Sequence, residues 1–275
     1  MPFHISTAKK EQPLQLIQLT DSHLLEDASK NFAGVYPLDC LKSVLAHIKQ
    51  HQDLNQVDAI LSTGDIAQEP SEKTYQQYLD QIDTFNKPHF IIRGNHDTGP
   101  SFPCNEDGQA HDQPTIILMG NWCIILLNSQ LNGCTYGQIS TPHLEQLSQI
   151  LEQYQSYHIL IALHHHTFPV GSAWLDQHIL QNSDAFLARI TPYKNIKLVI
   201  CGHVHQTSEH VHQGITFLST PSTFVQFKPH SQDFMLDDRP PGYRMIKLYG
   251  NGDFESEVHH LTESVGNIDH SLREY

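Results

Sequence analysis

The sequence predicts an α/β fold built around a largely parallel, buried sheet, and three observations lead there. Short apolar runs alternate with amphipathic helical stretches, the pattern of strands joined by helical crossovers. Two places break the alternation with adjacent strand-like runs, which adds antiparallel strands to the sheet. Residues with oxygen or nitrogen donors follow one strand after another, and ligands gather at the carboxyl ends of strands in open α/β sheets.

In chain order, the strand candidates are residues 14–19, 59–61, 89–92, 115–119, 123–127, 158–163, 197–201 and 215–218. Leu41, Val44, Leu45 and Ile48 recur at helical spacing and predict a helix over 38–49. A second helix is predicted over 72–85. A third is expected to begin at Thr141-Pro142, a capping residue followed by proline at the first helical position, and to run to about 154. Ser183 is placed to cap a fourth. The runs within 115–127 and the C-terminal YRMIKLYGNGDFESEVHHL, turning at Asn251-Gly252, are the antiparallel additions. Residues 98–114 and 220–242 are left as long loops. No internal repeat or low-complexity linker divides the chain, so residues 1–275 are read as a single domain.

Composition narrows the function. Thirty acidic against sixteen basic residues give a formal net charge of −14, which argues against nucleic-acid and anionic-membrane partners. An anionic small substrate is still compatible, provided bound cations reverse the sign locally. Twenty-one histidines favour a metal site, although His47, His51 and His178 fall in polar surroundings and read as solvated surface. Five scattered cysteines form no CxxC pair, which excludes a disulfide framework or a zinc knuckle. The N-terminal MPFHISTAKKEQPLQ has no apolar signal-peptide core and no run reaches membrane-spanning length, so a reducing, cytoplasmic setting is expected.

The donors follow five strands. Thr20-Asp21-Ser22-His23 comes after the first run, Gly64-Asp65 after the second and Gly94-Asn95-His96-Asp97 after the third. His164 follows directly on 158–163, and Gly202-His203-Val204-His205 follows 197–201. Glycine lets the backbone turn tightly and approach a ligand. With no thiolate in the set, Fe, Mn, Zn or Co is suited. So many ligands exceed one ion's needs, and a bridging carboxylate resolves the count. Asp65, alone on its loop, is the candidate.

In order, DSH, GDI, GNHD, HHH and GHVH resemble the signature of the calcineurin-like metallophosphoesterases, over about two thirds of the chain. The resemblance implies a four-layer α/β/β/α sandwich with mixed sheets and two metal ions at the strand ends, Fe and Mn ahead of Zn and Co. By that resemblance Asp21, His23, Asp65 and His205 hold one ion. Asp65, Asn95, His164 and His203 hold the other, with Asp65 bridging. His165 points the other way if the extended backbone continues, which suits a supporting or surface role, and His166 is left without an assignment.

Two carboxylates against two divalent ions leave a positive centre that attracts phosphate. Such a pair shares a hydroxide and clamps phosphoryl oxygens for in-line displacement. His96 stabilises the transition state or protonates the leaving alkoxide, and Asp97 is expected to orient its ring. His23, Asp65, Asn95, His96 and His205 also form the surface that meets substrate. The flanks HHHTFPVGSAWLDQHIL, STPSTFVQFKP and DDRPPGYR resemble the bacterial class III cyclic-nucleotide phosphodiesterases, which implies hydrolysis of 3′,5′-cyclic AMP to 5′-AMP. Thr167 departs from that pattern, which commonly has a proline after the histidines. Phe224, Phe227 and Tyr243 are candidates to stack on a base or to pack in the core. The alternatives are a broad phosphodiesterase or phosphatase of the same fold and a non-catalytic scaffold; the oligomeric state, monomer or homodimer, is not written in the sequence.

Overall fold

The computed structural model describes residues 2–5, 12–103, 113–263 and 265–274. Its elements run β1 (Phe3–Ile5), β2 (Leu14–Leu19), α1 (Pro37–His51), β3 (Val57–Ser62), α2 (Glu72–Ile82), β4 (His89–Ile91), β5 (Thr115–Met119), β6 (Trp122–Leu126), α3 (Thr141–Gln153), β7 (His158–Ala162), α4 (Ser183–Ile190), β8 (Ile196–Cys201), β9 (Ser208–His212), β10 (Ile215–Ser219), β11 (Gln226–Phe227), β12 (Leu236–Asp237), β13 (Gly242–Leu248) and β14 (Phe254–His260). A seven-stranded sheet has the order β1-β5-β6-β7-β8-β10-β9 and a five-stranded sheet the order β14-β13-β2-β3-β4. Both are mixed: β2-β3-β4 and β6-β7-β8-β10 are parallel, whereas β5-β6, β9-β10 and β13 with both its neighbours are antiparallel.

Successive strand side chains point to opposite faces, and here both faces are covered. Leu14 and Leu16 of β2 enter the core between the sheets, with Leu61, Trp122, Ile124, Leu160, Leu198 and Ile246. The alternate residues Ile17 and Leu19 enter a second core beneath α1 and α2, with Leu41, Val44, Ile48, Tyr75 and Tyr78. On the seven-stranded sheet, Ile125, Ile159 and Ile161 face α3 and α4 through Leu147, Leu151 and Phe186. The order of layers is therefore helix, sheet, sheet, helix, the four-layer α/β/β/α sandwich.

Helix ends correct two expectations. Ser140, not Thr141, caps α3: its side chain accepts from the His143 N–H. Asn182, not Ser183, stands at the start of α4 without a side-chain cap bond, because its amide is bound to the Ile139 backbone instead. The second helix ends at Ile82, and residues 83–85 tighten into a 3₁₀ turn. Strand β9, missed by apolar periodicity, has the sequence SEHVH and, among the described residues, pairs only with β10 at the sheet edge. The three-residue β1 was missed as well. Part of the predicted loop 98–114 lies outside the described residues, and 220–242 contains the small β11-β12 pair.

Candidate metal centre and its cleft

The loops after β2, β3, β4, β7 and β8 meet between the two sheets. Asp21 N–H donates to Gly64 O at 2.9 Å, His23 N–H to Asp65 O at 3.0 Å and Gly202 N–H to His164 O at 3.1 Å, which joins neighbouring loops in pairs. Asp21, His23, Asp65, His203 and His205 all have left-handed backbone, with φ between 44° and 68°. Such backbone costs a non-glycine residue on the order of 1–3 kcal/mol, and strain of this kind clusters at functional sites. Close approach explains two of the glycines: a Cβ at Gly94 would collide with the Asp65 carboxylate and amide, and one at Gly202 with Thr20 and Asp21.

The structure brings all seven expected ligands together. Donor atoms of Asp21, His23 and His205 lie within 4.8 Å of one another, as do those of Asp21, Asp65 and His164 and those of His23, Asp65 and His96. His164 Nε2 is 3.2 Å from Asp65 Oδ2 and 3.2 Å from Asn95 Oδ1. His205 Nε2 is 3.4 Å from Asp21 Oδ1. His203 lines the cleft over the same donors, and its backbone N–H donates to the Asp21 carboxylate.

The rear nitrogens show which way the imidazoles face. Nδ1–H of His23 donates to Gln68 Oε1 at 2.8 Å, of His164 to Thr63 O at 2.7 Å and of His205 to Val225 O at 2.7 Å. A carbonyl can only accept, so Nε2 is the nitrogen each ring turns inward and, once deprotonated, the one that can bind a metal. Two of these nitrogens, on His23 and His205, lie 3.2 Å apart, a contact that a shared proton or a cation relieves. With the carboxylates of Asp21 and Asp65 beside them, this donor set fits a divalent cation.

Electrostatics agree. Burial drives the His23 pKa down to about 3, with His96 and His205 adding to the effect. Burial opposes charge on His164 too, yet Asp65 and Asp21 push it up to about 9. Despite burial, Asp65 is held well below the usual carboxylate range by His164, His96 and His23. Against its burial, Asp21 is lowered too, by His205 and His164, so two buried carboxylates are kept ionised and attract positive charge into the centre.

Other expectations change. Asp97, expected to orient the His96 ring, is committed to backbone and Tyr75. Its buried carboxylate accepts from the N–H groups of Ile66, Ala67 and Gly94 and from Tyr75 Oη, so it ties the Asp65 loop to the Asn95 loop. Burial first, and Asp65 second, raise it to about 7. The His96 backbone N–H donates to Asp65 Oδ1 at 2.8 Å, and its ring meets the His23 ring edge-on with centroids 4.9 Å apart. His165 is buried, not at the surface: its Nδ1 is 2.8 Å from Ser129 Oγ, and its Nε2, without a hydrogen-bond partner, belongs to a ring 4.7 Å from that of His203, whose Nε2 is also unpartnered. His166 is buried too, stacked on His203 at 5.6 Å.

A cavity of about 310 Å³ opens over Asp65, Asn95, His96, His203 and His205 and extends past Phe227 to Trp174, Phe234, Thr135 and His178. Arg273 and Glu274, near the C-terminus, line it as well. Of the three aromatics singled out, only Phe227 is here. Tyr243 is buried beside α1, where its hydroxyl accepts from Gln52, and Phe224 is buried and stacked on Phe32. His178 lines the cleft and is not plain surface. Trp174 and His178 were within reach of sequence reasoning, because both lie in the stretch after HHH; Thr135, Phe234 and the C-terminal residues carried no signal of their own.

The fold and the donor set define a metallophosphoesterase. The family model for calcineurin-like phosphoesterases matches residues 14–207, and the chain belongs to that family. It is similar to the 3′,5′-cyclic adenosine monophosphate phosphodiesterase CpdA of Haemophilus influenzae, at 37% identity over 92% of this chain and 93% of that protein. The Escherichia coli K12 protein of the same name is 35% identical, with 92% of each chain covered. Among solved structures, a dimetal phosphatase from Danio rerio superposes with a TM-score of 0.63 over 90% of this chain and 99% of that one. At 14% identity, it speaks for the fold alone.

Proposed function

We propose that this chain is a phosphodiesterase that hydrolyses 3′,5′-cyclic AMP to 5′-AMP at a dinuclear metal centre. One ion is held by Asp21, His23, Asp65 and His205, the other by Asp65, Asn95, His164 and His203, with Asp65 shared. The observation that carries the reading is the cluster of inward-turned histidine nitrogens beside the two buried, ionised carboxylates of Asp21 and Asp65, in a chain similar over nearly its whole length to cyclic AMP phosphodiesterases. Two divalent ions, when bound, activate water for attack on phosphorus and neutralise the non-bridging oxygens.

The chain's own groups do the rest. The Nδ1–H bonds to Gln68, Thr63 and Val225 hold three imidazoles in one tautomer and orientation. The His96 ring, at the rim of the donor cluster and on the cavity wall, delivers a proton to the 3′-oxygen as the P–O3′ bond breaks. Oxygen from water forms the new bond to phosphorus, and the 5′-linkage stays intact. Asp97 acts at a distance by holding the Asn95 loop against the Asp65 loop.

Residues 1–275 are taken as one domain, since β1 before the matched stretch and β13-β14 after it are strands of the same two sheets. A cytoplasmic setting fits the free thiols of Cys40, Cys123, Cys134 and Cys201.

Hydrolysis of 3′,5′-cyclic AMP, 2′,3′-cyclic AMP and an aryl diester under defined metal supplementation tests the reading. In ¹⁸O water a single label is expected on the phosphate of 5′-AMP. Formation of 3′-AMP, or turnover of the other esters without cyclic AMP, would overturn the substrate assignment.

A further inference from the structure

Beyond the donors the cleft continues into an aromatic wall that cleavage of a phosphodiester bond does not itself require. Phe227 lies flat on the His205 ring, with centroids 4.0 Å apart and planes 9° from parallel, so the wall starts at a proposed metal ligand. Trp174 meets Phe227 and Phe234 edge-on at 5.0 and 5.1 Å, and its indole N–H donates to Ser231 Oγ at 3.1 Å, which fixes the ring. Phe227 is buried, whereas Trp174 and Phe234 are only half-buried and give their remaining surface to the cavity. On the same cavity Thr135 Oγ1 and His178 Nδ1 are joined at 2.7 Å, leaving His178 Nε2 as the nitrogen open to a ligand. About 310 Å³ falls in the range of sites for small organic ligands.

We propose that this end of the cleft is a nucleobase subsite, in which Trp174 stacks on the base, Phe234 packs against it and the Thr135–His178 pair hydrogen-bonds its edge. It rests on the cyclic-nucleotide reading of the same centre. The wall is held in place before any ligand arrives, so little side-chain freedom is lost on binding. When the Thr135 hydroxyl donates to Nδ1, Nε2 carries the proton and donates; when it accepts from Nδ1–H, Nε2 accepts, so either purine is accommodated.

The test compares cyclic AMP with 1-O-methylribose 3′,5′-cyclic phosphate, which keeps the cyclic diester and lacks the base. In the metal-loaded enzyme, Trp174→Ala is expected to raise KM for cyclic AMP roughly 10- to 100-fold, with kcat little changed and the base-free diester unaffected. His178→Ala should likewise act on cyclic AMP alone, and Trp174→Phe should restore most of the affinity. Equal losses on both substrates, or no loss on cyclic AMP, overturn the subsite. A wild-type enzyme that opens the base-free ring and ignores cyclic AMP overturns the cyclic-nucleotide reading instead. Apart from turnover, 5′-AMP should saturably quench Trp174 fluorescence, since the other tryptophan, Trp122, is buried between the sheets. Ribose 5-phosphate should not. Absence of quenching by 5′-AMP counts against the subsite whatever the variants do.

Discussion

At the scale of single residues, the first two of the three consecutive histidines take different parts. His164 turns Nε2 toward Asp65 and Asn95 while Thr63 O holds its Nδ1. His165 is wedged between Ser129 and Gly137, where an added Cβ would strike its ring, and lies 4.7 Å from the His203 ring, with donor atoms of His164, His165 and His203 within 4.8 Å of one another. His164→Ala and Asp65→Ala are therefore expected to abolish retention of metal, the second depleting both ions. His165→Ala should weaken metal affinity about 10- to 100-fold, as for loss of a group that orients a ligand. Metal content after equilibration at fixed free-metal concentrations ranks the three, and equal depletion by His164→Ala and His165→Ala would refute the ranking. For His96→Ala, metal content should stay unchanged while turnover of cyclic AMP falls on the order of 10²–10⁴-fold. An ester with a nitrophenolate leaving group, which needs little protonation, should lose less. Equal losses on both would remove the proton-donor role.

At the scale of elements, the site depends on turns that let backbones touch. Gly94 lies so close to the Asp65 carboxylate that a methyl group there must displace a proposed bridging ligand or open the loop that Asp97 fastens. Gly94→Ala is expected to destabilise the metal-free protein by about 1–3 kcal/mol, the usual range for overpacking. Its metal affinity should fall by far more than that stability change explains. Urea unfolding and metal titration on the same preparation separate the two effects. A normal affinity would show that the loop yields without moving Asp65.

At the scale of the molecule, a buried polar chain links the two sheets beneath the centre. Arg244 on β13 donates to Ser219 O, Thr220 Oγ1 and Ser256 Oγ; Thr220 donates to Gln18 Oε1, and Gln18 donates to Thr63 Oγ1 and Cys201 O. Burial lowers the guanidinium to about 10, and all three partners are neutral oxygens. Removing such a group leaves buried acceptors unmet, so Arg244→Ala is expected to cost about 3 kcal/mol. Gln18→Ala should cost less. Because the two share Thr220, the double variant should lose less than the sum, a coupling of about 0.5–3 kcal/mol readable from a double-mutant cycle. Strict additivity would mean the two ends act independently.

The sequence by itself determined the alternating α/β architecture and pointed to the residues that cluster in the candidate centre, because both signals are local. Period-two and helical spacing lie within single segments, and each donor sits within a few residues of its strand end, so that position along the chain implies position in space. It also carried the C-terminal hairpin, whose turn at Asn251-Gly252 is local chemistry. Only the tertiary structure decided which nitrogen of each histidine faces inward, since that depends on Gln68, Thr63 and Val225, far away along the chain. It alone decided that Asp97 holds loops together and that His165 is buried, because their partners Ile66, Ala67, Tyr75 and Ser129 lie on other segments. The cleft wall is the extreme case. Thr135, Trp174, Phe227 and Phe234 come from separate loops with no common period, and they meet only because the layered sheets bring those loops to one edge.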